Sequence, residues 1–324
     1  MKRWLPALLV MVVAVAGCPA RRESPQPVVV PAAEPALKGG TDVTFFVTGD
    51  SHFGVPGMEA ANRRLVEAMN RLPGTPYPGP IGGRVALPRG VIHCGDATDL
   101  GLAGQWSQFE KVYGLTATDG VLRFPVFEAT GNHDRANIFS GTVARAVGRR
   151  HGGLSYSWNW DDVHLVCLDV HPTAASVAWL KGDLAGAGRR APVVIFFHYT
   201  LMRGLSDMWS AREKDAFAQA IAGYNVVAIF TGHWHVPGHD VWRGYDVFRP
   251  GAPRHNFDTF IVVRITDERL ALAFYDWGLG ETSASYVLPR WRDVFVKSID
   301  RAGSAAAPAA SHAAARSGEL HGDI

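Results

Sequence analysis

Gly131-Asn132-His133-Asp134 closes the short apolar run Phe124–Ala129. Alone, it would be a polar turn leaving a strand. Four other stretches share its build. Asp42–Thr48 (DVTFFVT) ends at Gly49-Asp50-Ser51-His52, and Val91–Cys94 ends at Gly95-Asp96. Val193–Phe197 ends at His198, and Val226–Phe230 leads into Gly232-His233-Trp234-His235. Each run is short, β-branched or aromatic, as a buried strand requires. Each delivers Asp, Asn or His where its apolar residues stop.

Helical spacing fills the gaps between these runs. Met58–Leu72 carries Leu65, Val66 and Met69 on one face, and Leu102–Tyr113 carries Trp106 and Phe109. Ile138–Val147, Ser176–Leu184 and Lys214–Ile221 read the same way. Ser155–Trp160 and Val163–Leu168 flank Asp161-Asp162 and predict a hairpin. Pro73–Arg89, rich in Pro and Gly, predicts a long surface loop. After His235 the pattern changes to short strands near Asp240–Trp242, Tyr245–Phe248, Phe257–Ile265 and Ala271–Trp277. Buried strands alternating with helices imply a largely parallel sheet, and the last third reads as antiparallel. The predicted class is therefore α/β, with mixed sheets and flanking helices.

In such sheets ligands gather at the carboxyl ends of the strands. Those ends carry Asp50, His52, Asp96, Asn132, His133, His198, His233 and His235. Asp, Asn and His without a thiolate suit borderline divalent metals such as Zn, Mn or Fe. The donors outnumber the needs of one ion. A pair about 3.5–4 Å apart, bridged by a carboxylate, fits the count.

These five motifs, in this order over about residues 42–240, resemble the calcineurin-like metallophosphoesterase superfamily. The resemblance implies a four-layer fold, two β-sheets packed as a sandwich between helices. It implies two divalent metal ions. Asp50, His52, Asp96 and His235 would hold the first; Asp96, Asn132, His198 and His233 would hold the second. A water or hydroxide between them would attack phosphorus. His133 would serve the leaving group, and Asp134 would orient His133 through a carboxylate–imidazole bond. The implied activity is hydrolysis of phosphoric esters. One departure stands out: purple acid phosphatases have a metal-binding Tyr where this chain has Asp99, so a tyrosinate-iron site is not expected. Two alternatives use the same residues, a cyclic-nucleotide or other phosphodiesterase and a non-catalytic metal-binding scaffold. The scaffold predicts missing ligands, and here the set is complete.

The remaining histidines and arginines have plainer expectations. His93 precedes the second motif and reads as a buried supporting residue. His151, His164, His239 and His255 read as packing or surface residues. His171, at another strand end, is a candidate for the pocket edge. Arg135 and Arg254 are candidates for phosphate contact or for surface ion pairs.

The ends of the chain follow a different logic. Lys2 and Arg3 precede the apolar run Leu5–Ala16, which falls short of the roughly 20 residues that span a bilayer. Val15-Ala16-Gly17-Cys18 follows, which suits a signal peptide and resembles the lipobox of bacterial lipoproteins. The expected organisation is a signal peptide over 1–17, then a lipidated Cys18 with a Pro-rich spacer to 40. The catalytic body spans 41–296 and a disordered Ala-rich tail covers 297–324. That places the protein in the bacterial cell envelope, anchored to membrane through Cys18 and facing the periplasm or exterior. A formal charge of +2 over 324 residues gives no case for nucleic-acid binding. The expected partners are a phosphate-ester small molecule or a lipid headgroup. Of three cysteines, Cys94 and Cys167 sit in apolar runs and read as buried free thiols.

Overall fold

The computed structural model describes residues 37–136, 141–201, 208–254, 257–278 and 290–300. Cys18, the leader and the spacer through residue 36 lie outside the described residues, as do His255 and the Ala-rich tail from 301. Among the described residues, no helix is long and apolar enough to cross a membrane.

Among the described residues, five helices and twelve strands follow one another along the chain. The first sheet has the order β12-β11-β10-β1-β2-β3. Its strands are β1 (Asp42–Thr48), β2 (Val91–His93), β3 (Val126–Glu128), β10 (Thr259–Thr266), β11 (Arg269–Asp276) and β12 (Arg290–Ser298). The second has the order β4-β5-β6-β7-β9-β8. It contains β4 (Ser155–Trp160), β5 (Val163–Leu168), β6 (Val193–Phe197), β7 (Val226–Thr231), β8 (Gly238–Trp242) and β9 (Tyr245–Arg249). The first sheet is parallel on one side and the second is parallel at its centre. β1, β2 and β3 run together in one, and β5, β6, β7 and β9 in the other. β10, β11 and β12 complete the first sheet antiparallel on its other side, as expected from the later sequence, and β4 and β8 are the antiparallel edges of the second.

The period-two alternation of the strands shows how the layers stack. In β6, Val194 and Phe196 face the core between the sheets, while Val193, Ile195 and Phe197 face the outer helices. Phe45 of β1 meets Trp160 and Phe230 of the second sheet at 5.5 and 6.2 Å between ring centroids. The helices α1 (Met58–Arg71), α2 (Ala103–Tyr113) and α3 (Thr142–His151) lie with the first core. The helices α4 (Ala174–Ala187) and α5 (Ala211–Ile221) cover the second. Both start in capping boxes, Thr173 with Ser176 and Ser210 with Glu213, which satisfy free N–H groups of the first turn. The expected sandwich is the observed one.

Three local expectations change. Residues 137–140 are outside the description, and α3 begins at Thr142 and runs on to His151, where Gly152 (φ +76°) ends it. The loop after α1 is not only surface. It closes on itself through Gly74 N–H to Val85 O at 2.8 Å and buries Tyr77, Ile81 and Val85. The body also passes both of its expected bounds. β12 pairs with β11 to Ser298, Ile299 is buried, and the amides of Lys38 and Gly39 bond Asp162. β12 escapes the sequence pattern because Arg290, Arg292, Asp293 and Lys297 interrupt its apolar residues.

Candidate metal centre

The parallel strands of both sheets end on the same side, and their loops carry the polar motifs. The first loop is registered on the second by backbone bonds, Asp50 N to Gly95 O at 2.9 Å and His52 N to Asp96 O at 3.0 Å. Asp50, His52, Asp96, His233 and His235 all have positive φ, between 43° and 70°. Such backbone costs roughly 1–3 kcal/mol at each non-glycine residue, and it persists only where the surroundings hold it. Here it turns each side chain inward as soon as its strand stops. Gly131 serves close approach instead of a turn. A Cβ there would stand 2.0 Å from Asp96 Oδ1 and 2.5 Å from Asp96 N. Gly232 has the same task, since its Cβ would meet Cys94 O at 2.7 Å and Asp50 Oδ2 at 2.8 Å.

All seven expected ligands come together. Asp50, His52 and His235 form one cluster of donor atoms, and Asp96, His198 and His233 form a second. Within the first, His52 Nε2 and His235 Nε2 are 3.0 Å apart, and His235 Nε2 is 3.5 Å from Asp50 Oδ1. Within the second, His198 Nε2 lies 3.2 Å from both Asp96 Oδ2 and His233 Nδ1, and 2.9 Å from Asn132 Oδ1. Asp96 Oδ2 is also 3.8 Å from His52 Nε2, so this carboxylate stands between the clusters.

His198 tests whether a cation belongs here. Its Nδ1–H donates to Cys94 O at 2.9 Å, which leaves Nε2 among the oxygens of Asp96 and Asn132. Those oxygens are acceptors, so only a proton or a metal ion makes the arrangement favourable. Burial pulls the His198 pKa down, but the charge of Asp96 and its hydrogen bond override it, to about 9. A metal ion would replace that proton. Burial takes His52 down to about 4, and burial with repulsion from His198 takes His233 to about 4, so both rings are neutral donors. Buried carboxylates and neutral imidazoles, with no thiolate, fit a divalent metal centre.

Asp134 is a correction. Its buried carboxylate accepts from Thr98 N and Oγ1 at 2.8 Å each, from Gly131 N at 2.9 Å and from Ala97 N at 3.2 Å. Those bonds staple the second motif to the third, and the expected bond to His133 is not among them. Burial and the charge of Asp96 push Asp134 up to about 6, against the pull of these donors. The ring of His133 is held instead by Asp99, the residue that stands where purple acid phosphatases have a Tyr. His133 Nδ1–H donates to Asp99 O at 2.8 Å, and the Asp99 carboxylate is 3.6 Å from the same nitrogen. That carboxylate also lies 3.5 Å from His52 Nδ1 and 3.8 Å from Arg254 Nη1. The available signal was position: Asp99 is three residues beyond Asp96, in the same strand-end loop.

The other candidates fall outside the cluster. Arg135 pairs with Asp169 and donates to Thr130 Oγ1 at 3.2 Å. His171 stacks on Tyr199, whose ring is 5.0 Å from that of His233, so it stands one residue back from the cluster. His151, His164 and His239 stack or pair elsewhere, on Tyr156, Asp183 and Asp246. Cys94 and Cys167 are free and buried.

Residues 43–237 match the calcineurin-like phosphoesterase family. The chain belongs to that family. The family and the His/Asp clusters together make the chain a metal-dependent phosphoester hydrolase. No curated protein matches the chain. Among solved structures, it is similar to GAP50 of Plasmodium, described as the anchor in the inner membrane complex. The identity is 10% over 78% of this chain and 89% of that one, with a TM-score of 0.50. Zinc-complexed Vps29 of Entamoeba histolytica is 13% identical over 80% of this chain and 99% of that one, at a TM-score of 0.36. A 5'-nucleotidase-like protein of Staphylococcus aureus is 12% identical over 80% of this chain and 54% of that one, at 0.40. At 10% identity, the likeness to GAP50 speaks to the fold alone.

Proposed function

We propose that this phosphoesterase works with two divalent metal ions, Mn, Fe or Zn, and that its strand-end residues divide between holding them and serving the leaving group. The position of Asp96 carries this reading, because one carboxylate oxygen reaches a histidine of each cluster. Asp50, His52, Asp96 and His235 would hold one ion; Asp96, Asn132, His198 and His233 the other. Bound there, the ions supply an activated water and a clamp on the phosphoryl oxygens.

The chain's own residues do the rest. Cys94 O and the backbone of the first two loops hold the rings and carboxylates in place, so little reorganisation accompanies the reaction. His133 is partly exposed, and its Nδ1–H is committed to Asp99 O. That bond directs proton traffic to Nε2, which would give its proton to the departing oxygen. The Asp99 carboxylate compensates charge on the ring. Its chain neighbours Leu100 and Leu102 are exposed and apolar.

The decisive assay strips the purified chain with chelator, restores Mn or Zn, and compares an aryl monoester, a bis-aryl diester and cyclic nucleotides. Metal-dependent turnover of at least one is expected, and the preferred one assigns the substrate class. Absence of turnover on all of them would sink the proposal. Location is part of the same reading. Val15-Ala16-Gly17-Cys18 after an apolar run supports lipidation of Cys18 and attachment to the envelope, within reach of lipid headgroups and small phosphate esters. Cys18→Ser is expected to move the protein from the membrane to the soluble fraction. Unchanged partitioning would rule the anchor out.

A further inference from the structure

Beneath the first ligand turn lies a closed circuit of buried polar groups that the chemistry above does not use. His93 Nε2 is 2.7 Å from Ser51 Oγ. Ser51 Oγ donates to Tyr113 OH at 3.1 Å, and Tyr113 OH donates to Asn62 Oδ1 at 3.0 Å. Asn62 Nδ2 returns to Ser51 O at 2.8 Å and also bonds Met58 O at 2.8 Å. Ser51, Asn62, His93 and Tyr113 are all fully buried. The proton order is determined. Ser51 spends its one hydrogen on Tyr113, so His93 must donate from Nε2. That tautomer leaves Nδ1 as a bare acceptor, and Nδ1 has no partner. Burial keeps the ring neutral by pushing its pKa down to about 4.

The circuit grips Ser51 from both sides, at its hydroxyl and at its carbonyl. Ser51 stands between Asp50 and His52, whose φ values are +54° and +43°. The Ser51 carbonyl lies in the peptide plane that joins Ser51 to His52. Pinning that oxygen fixes the plane, and with it the direction in which His52 leaves the chain. Asn62 comes from α1 and Tyr113 from the end of α2, where its ring stacks on Phe109 at 4.7 Å. Two outer helices are therefore fastened to a turn whose backbone no ordinary loop would hold. We infer that Asn62, Tyr113 and His93 are positioning residues for the first metal site, acting through Ser51 to hold the strained Asp50–His52 turn. This rests on the proposal that Asp50 and His52 are metal ligands. Partners that orient ligands in this way are worth roughly 10–100-fold in metal affinity.

Tyr113→Phe tests it with least disturbance, since the ring and its stacking remain. Calorimetric titration of the chelator-stripped full chain with Mn²⁺ is expected to show one of two sites weakened about tenfold. Turnover should recover as Mn²⁺ is raised. Tyr156→Phe is the matched control. It removes an equally buried hydroxyl, bonded to Glu128 O at 3.0 Å and away from the turn. It is expected to leave Mn²⁺ affinity unchanged. Ser51→Ala should weaken the same site and serves if Tyr113→Phe does not fold. Wild-type Mn²⁺ affinity in the folded variants would overturn the positioning role, as would an equal loss in Tyr156→Phe. His52→Ala separates the two readings. If it leaves both sites intact, the ligand assignment falls, and the positioning role with it.

Discussion

Asp96→Ala is expected to abolish phosphoester hydrolysis and to strip most bound metal from the purified chain. Asp96 is buried, and Oδ2 lies 3.2 Å from His198 Nε2 and 3.8 Å from His52 Nε2. Asp50, the other carboxylate of the two clusters, lies 3.5 Å from the His235 ring but meets His233 at its backbone N–H. In the proposed two-metal arrangement, removal of Asp96 would leave the histidines of both clusters without the negative charge that would draw two cations together. The other oxygen, Oδ1, accepts from His133 N at 2.8 Å, so the change also loosens the third motif. Charge stabilisation worth several kcal/mol corresponds to a loss of roughly a thousandfold or more. Elemental analysis of the dialysed protein, alongside turnover, checks it. Full activity with two ions retained would remove Asp96 from the bridging position.

His133→Ala is expected to behave differently, keeping its metal while losing about 10²–10⁴ in rate. The ring falls in a third donor group, with His52 and Asp99, that shares only His52 with the two proposed ligand clusters, and its Nδ1 is taken by Asp99 O. A proton donor matters most when the departing oxygen is basic. The loss should therefore be large for alkyl esters and small for nitrophenyl esters, whose leaving groups depart without help. Rates across a series of leaving groups, with metal content measured in parallel, provide the check. Equal losses across the series would deny the proton-donor role, and loss of metal would make His133 a ligand.

The two residues next to each other in Asn-His-Asp show where sequence reading stops. Asp134 adjoins His133 in the chain, and the family resemblance implied a bond between them. In the turn their side chains part, so that Asp134 binds the amides of the second motif. The partner of His133 is Asp99, from a different strand-end loop. The same limit applies to the buried circuit. His93 was expected to support the site, but nothing local indicates that it meets Ser51, or that Ser51 meets Tyr113 and Asn62. The edge strand β12 was invisible because its charges break the apolar pattern and its pairing with β11 is what makes it a strand.

By itself, the sequence determined the central strands, the alternation with helices, and which Asp, Asn and His residues stand at the strand ends. Those features are local: apolar runs of strand length must be buried, and polar residues directly after them must emerge at one edge of a parallel sheet. Only the tertiary structure decided the pairing of these residues. Asp50 meets His235, Asp96 meets His198 and His133 meets Asp99 across long separations in the chain. Such contacts arise from the register of two sheets and the strained backbone at their ends, which no short pattern encodes.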